Sequence, residues 1–239
     1  MSKKLFLAAA VAVFAFAQGA KAQTNVQFFY DFGRSYFTTT VEGFYGDKWG
    51  DTFFFIDHYY ATQADRLLGA GSAVNGSYFE IERNLNFWKD TKLADLSLHV
   101  EYDGATWGAG VACIGVNYFL HSKDFKNIFN LALMYDHHIG YGYATVPVKF
   151  TGVWGMQDLF GLEGLRFSGF IDIWGLDSDF GLLGTSKFTI LTEPQLWYNV
   201  GRHFGVDNLH LGGEVELSYN FAGNKGFMCN PCLGAKWVF

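Results

Sequence analysis

Apolar and polar residues alternate with a period of two through much of this chain. In 208–220, Leu209, Leu211, Val215, Leu217 and Tyr219 oppose His210, Glu214, Glu216, Ser218 and Asn220. In 93–103, Leu96, Leu98, Val100 and Tyr102 oppose Ser97, His99, Glu101 and Asp103. In 186–199, Phe188, Ile190, Leu196 and Tyr198 oppose Lys187, Glu193, Gln195 and Asn199. Successive side chains of a strand point to opposite faces, so each window reads as a strand with one apolar and one polar face. Short clusters of Gly, Asp, Asn and Lys separate the windows, and no linker or low-complexity tract interrupts them. The reading is one all-β domain with strands at 25–33, 36–46, 50–60, 76–87, 93–103, 110–121, 126–138, 146–158, 163–174, 186–199, 208–220 and 228–239.

The chain carries 26 Phe, 13 Tyr, 7 Trp and 29 Gly but only 3 Pro, a bias that suits strands and crowded walls. Residues 104–122 lack a formal charge and are long enough to span a membrane as a helix. Their glycines, and the alternation of Ala112, Ile114, Val116, Tyr118 and Leu120, favour a strand. Residues 1–22 read as a cleaved signal peptide: Lys3 and Lys4, an apolar stretch from Leu5 to Ala17, and the small-x-small site Ala20-Lys21-Ala22. The mature domain is then 23–239. No Cys follows the cut, which disfavours a lipid anchor. Cleavage removes Lys3, Lys4 and Lys21 and takes the formal charge from −6 to −9, which disfavours nucleic-acid binding.

Alternation alone does not separate a soluble sandwich from a membrane barrel, since both show it. The two ends of the chain do. A secretory leader with a last strand Gly234-Ala235-Lys236-Trp237-Val238-Phe239 resembles bacterial outer-membrane β-barrels. The resemblance implies a twelve-stranded antiparallel transmembrane β-barrel, lipid on its outer face, and assembly machinery that reads Phe239. Barrels of this kind keep both termini and their short turns in the periplasm. The longest connections, 61–75 and 175–185, fall on the outer side, and 47–49, 88–92 and 122–125 on the inner side. The 200–207 turn is longer than that rule prefers.

The polar parity is rich in acids: Asp57, Glu80, Glu82, Glu101, Asp103, Asp136, Asp172, Glu193, Glu214 and Glu216. Lys149, Arg166, Lys187 and Lys236 share it, as do Phe53, Phe55, Tyr59, Tyr78, Phe170, Trp174 and Trp197. Charges at membrane depth need water or partners. Either a hydrated, acid-lined pore or a plugged interior of mutually paired groups satisfies that need. Rings stack on heterocycles and acids accept from hydroxyls, so nucleosides are one fitting solute class among several. Cys229 and Cys232 read as a strand-end pair, a disulfide being one option, without the further ligands that zinc needs. His121-Ser122 and His137-His138 are adjacent pairs rather than nucleophile and base at workable spacing, which disfavours an enzyme such as a phospholipase. A metal site from Asp136, His137 and His138 is nonspecific, and no cofactor is expected.

The runs Val41–Asp57 and Tyr78–Arg83, with its Glu80-x-Glu82 pair, resemble the early segments of the nucleoside-specific channel-forming outer-membrane proteins, the Tsx-like family. Thr192–Asn199 and Gly213–Leu217 are similar to a less characterised branch of it. The resemblance implies a narrow monomeric channel passing nucleosides, with Glu80 and Glu82, and then Asp57 and Trp49, at the solute path. The expected channel-lining set is Asp57, Tyr59, Tyr78, Glu80, Glu82, Glu101, Asp136, Asp172, Glu193, Trp197, Glu214 and Glu216. The competing expectation is a closed barrel acting as a structural protein or surface adhesin.

Overall fold

The alternating windows form strands because each can bury one face only by pairing with neighbours, and a ring of strands leaves no edge unpaired. The computed structural model describes residues 22–62, 74–108, 110–140 and 142–239. The elements are β1 (Ala22–Asp31), β2 (Tyr36–Asp47), β3 (Gly50–Tyr60), β4 (Val74–Leu85), β5 (Leu96–Ala105), β6 (Gly110–His121), β7 (Asn127–Ile139), β8 (Val148–Gln157), β9 (Leu165–Asp179), β10 (Thr185–Thr192), β11 (Gln195–Asn199), β12 (Leu209–Tyr219) and β13 (Phe227–Val238). Sequence neighbours pair antiparallel, and β1 closes the ring on β13 from Asn25↔Val238 to Asp31↔Cys232.

The barrel has twelve staves, because β10 and β11 are two halves of one. Both pair with β9 on one side and β12 on the other. The expected strand 186–199 breaks at Glu193-Pro194, where proline has no N–H to give the ladder. The stave stays in line because Glu193 N–H donates to Phe170 O at 3.1 Å and Val215 N–H to Pro194 O at 3.0 Å.

The apolar parity faces outward. Along β7, Leu131, Leu133 and Tyr135 are exposed while Ala132, Met134 and Asp136 are buried. β6 repeats this with Ile114, Val116 and Tyr118 outside and Cys113 and Asn117 inside. A soluble sandwich would have the opposite arrangement. An apolar exterior on a closed antiparallel ring is the architecture that spans an outer membrane. No described helix is long and apolar enough to cross a membrane.

Four details depart from the sequence reading. β9 continues to Asp179 by pairing with Thr185 and Ser186, so the long connection expected at 175–185 shrinks to a turn at 180–184. The turn expected at 88–92 widens to 86–95 and is closed by the Asn86 amide donating to Ala94 O at 2.5 Å. With 200–208, it puts long turns on the rim that carries the chain ends, so turn length does not orient the barrel. Cys229 and Cys232 lie three residues apart on β13 and therefore on opposite faces, so the two thiols stay free. The expected signal peptide and most of the 61–75 connection lie outside the described residues.

Candidate functional site in the barrel lumen

The inner wall divides into two regions. On β6 and β7 the inward residues Cys113, Gly115, Ala132 and Met134 are small or apolar. That low relief lets Lys149 of β8 reach across both strands to β5. Its Nζ donates to Glu101 Oε1 at 2.6 Å and lies 3.3 Å from Asp172 and 3.9 Å from Asp103. The Thr151 hydroxyl donates to Asp172 at 2.6 Å. His99 stands between Asn84 Oδ1 at 2.9 Å and Glu101 Oε2 at 3.2 Å. One ammonium among three carboxylates compensates the burial of each charge, which would be costly alone. Nearby, Asp136 pairs with His138 at 3.3 Å. The β5–β8 region is therefore packed.

The rest of the lumen holds a cavity of about 550 Å³ lined from β1–β4, β8, β9 and β11–β13, with Glu101 of β5 at its edge. Its lining runs from Gln157, Asp207 and Phe239 at the terminal rim to Asp31, Arg34 and Tyr59 toward the far rim. Here the acids are mostly left without cations. Arg34 holds Asp31 at 3.0 Å and also pairs with Glu216, to which Asn230 donates at 2.9 Å. Among the described residues, Glu42, Asp57, Glu80, Glu82, Glu193 and Glu214 have no ion-pair partner within 4 Å. Neutral donors serve several of them. Asn25 donates to Glu42 at 2.9 Å, Thr40 to Asp57 at 2.5 Å, Tyr78 to Glu80 at 2.5 Å and Gln195 to Glu214 at 2.8 Å.

Trp197, 1% exposed, lies against the wall with its ring 5.5 Å from that of Phe29. Two glycines make room for these rings. A Cβ on Gly212 would stand 2.9 Å from Trp197, and one on Gly234 would stand 2.6 Å from Phe29. The indole N–H donates to Gln195 Oε1 at 2.9 Å, which fixes the ring, and Lys236 Nζ sits 4.4 Å above it.

Of the twelve residues expected at the channel, Asp57, Tyr59, Glu80, Glu82, Glu101, Asp172, Glu193, Trp197, Glu214 and Glu216 line this cavity. Tyr78 does not. Its hydroxyl is turned to Glu80 and its ring packs 5.9 Å from Phe55. Asp136 does not either, being held with His138 in the packed region. Lys187 departs from the polar parity: it sits exposed at the register shift between Ser186 and Phe188, outside the lining. Trp174 meets Phe221 edge-on at 5.9 Å and is also outside it. Trp49 is exposed at the β2–β3 turn. The residues that were missed include Asn25, Gln27, Phe29, Thr38, Thr40 and Glu42 on the first two staves and Thr151 and Ser168 on β8 and β9. Their every-second spacing was the available signal. Glu82, His99 and Glu101 offer metal-ligating atoms within 4.8 Å of one another, although Glu101 already serves Lys149.

Comparison with known proteins agrees with this architecture. The NanC porin, in its rhombohedral crystal form, superposes with a TM-score of 0.55 at 10% identity, covering 90% of this chain and 98% of that one. Acinetobacter baumannii outer membrane protein Omp33 gives 0.43 at 11% identity, with coverages of 92% and 98%. At 10% identity the property shared with NanC is the fold. No curated protein matches the chain in sequence. Over residues 22–239 it matches one family model, and the chain belongs to that family, described as Domain of unknown function (DUF5020).

Proposed function

We propose that this barrel is a passive outer-membrane channel for small polar solutes, with nucleosides the class that the Tsx-like resemblance implies. The observation that carries the reading is the cavity, whose lining of charged groups, amides and aromatic rings extends from one rim toward the other inside a closed wall. Unpaired carboxylates favour the channel over a closed barrel, because they need water at membrane depth. The packed β5–β8 region taken alone would suit a closed structural barrel. In this reading the terminal rim is periplasmic, the barrel works as a monomer, and Phe239 engages the assembly machinery.

Liposome swelling with nucleosides, sugars and amino acids tests the function. The expected result is osmotic entry of neutral solutes, with nucleosides among the fastest. A folded, inserted barrel that admits none of them would leave the closed-barrel reading standing.

A further inference from the structure

Two cations without ion-pair partners among the described residues stand on the lumen wall beside a separate group of three unpaired acids. Toward the terminal rim lie two basic side chains, Arg166 near the start of β9 and Lys236 near the end of β13. Both line the cavity. Between them they carry eight N–H donors. Among the described residues neither has an ion-pair partner, and the Arg166 Nε is buried without an acceptor. The two cations are within electrostatic reach of each other, so they repel. Glu42 is in reach of both, but it already accepts from Asn25 and Gln27. Trp197 ties the pair together: it stands opposite Arg166 in register and carries Lys236 over its face. Buried, unpartnered donors converging on one cavity wall are the arrangement that receives an oxyanion.

One step from Trp197 toward the far rim lies the group of three acids. Glu214 lies two residues beyond Gly212, the register partner of Trp197. Glu193 and Asp57, from other staves, are in electrostatic reach of one another, and each of Glu214. None of the three has a cation within 4 Å among the described residues. Two residues along a strand rise about 7 Å. An extended chain spans at most about 3.3–3.6 Å per residue, so two residues reach a similar distance.

We propose that the lumen binds a zwitterionic solute of dipeptide size. Its carboxylate sits between Arg166 and Lys236 above Trp197, and its ammonium points to Glu193 and Glu214. This deepens the channel reading and rests on it, since the solute must enter the lumen. It also selects a class by charge: a nucleoside has no anionic group for the cations, and a simple anion meets the acids beyond them.

The test is calorimetric titration of the purified barrel in detergent with Ala-Ala, N-acetyl-Ala-Ala and Ala-Ala-amide. The expected result is that Ala-Ala binds at least tenfold more tightly than either blocked form. In an Arg166→Gln, Lys236→Gln double variant the advantage over the amide should vanish, while Lys236→Arg should retain it. Heat-modifiable migration on gels confirms that each variant is folded. Equal binding of the three probes, or none, overturns the proposal, as does tight binding of the acetylated form. Swelling by a neutral sugar, measured separately, shows whether the channel reading has failed as well.

Discussion

The β5–β8 wall and the β9–β4 wall of one barrel treat buried charge in opposite ways. On the first, Lys149 spans two low-relief strands and compensates Glu101 and Asp103, together with Asp172 on the adjoining β9. On the second, six carboxylates and two cations face a cavity without ion-pair partners among the described residues. The contrast separates charges that hold the wall from charges available to solute. Polar parity marks both kinds alike, and only the partners tell them apart.

The largest expected effect breaks that contrast at its lysines. Lys149→Met leaves three buried carboxylates without their cation and should cost about 3–5 kcal/mol. Lys236→Met removes a charge that has no ion partner and should cost far less. Urea unfolding of both variants in lipid vesicles compares them directly. Equal losses would mean that the two regions are not electrostatically distinct.

Next comes the distinction between outside and inside. Leu133→Arg, on the lipid face of β7, should cost about 2–4 kcal/mol near the midplane. Thr38→Arg, facing the cavity, should cost less because water reaches the new charge. Folding yields into bilayers check the pair, and a larger loss for Thr38→Arg would reverse the assigned faces.

Much of this was legible in the sequence, for identifiable reasons. The period of two gave the staves and their faces, because a strand has only two faces to offer. The parity failed where the backbone slips, as at Lys187 beside the bulge. It placed Lys149 inward but could not give its partners: Glu101 and Asp103 lie on β5 and meet it only over the small residues of β6 and β7. Arg166 and Lys236 could be read as inward cations, but their lack of acceptors belongs to the three-dimensional arrangement. Pro194 was visible, yet its break is repaired by hydrogen bonds that only the neighbouring staves supply.

Selectivity should separate the regions more gently. Glu193→Gln with Glu214→Gln removes unpaired charge from the cavity and should shift reversal potentials away from cation preference. Asp172→Asn should shift them less, because Lys149 already offsets that charge. Single-channel recordings in a salt gradient rank the two, and a larger shift for Asp172→Asn would contradict the division.

The smallest effect lies outside the lumen. At the terminal rim, the Lys126 ammonium donates to Asp158 at 2.7 Å and holds its pKa below the ordinary carboxylate value. A depressed folded-state pKa contributes stability above the unfolded value of about 3.9, and that contribution fades as pH falls through the lower folded value. The wild type should therefore lose slightly more thermal stability than Lys126→Met as the pH drops into that window. The reverse order in paired melting curves would show that the pair contributes nothing.

Cys232 offers the most direct test of the open region as the solute path. It lines the cavity, whereas Cys229 points outward and Cys113 is buried in the packed wall. Conductance in planar bilayers is recorded before and after a charged, membrane-impermeant thiol reagent, for the wild type and for Cys232→Ser. The expected result is a wild-type current that falls on modification and a Cys232→Ser current that does not. A folded wild-type barrel without conductance, or a current indifferent to modification confirmed at Cys232 by mass spectrometry, would contradict a solute path through this cavity.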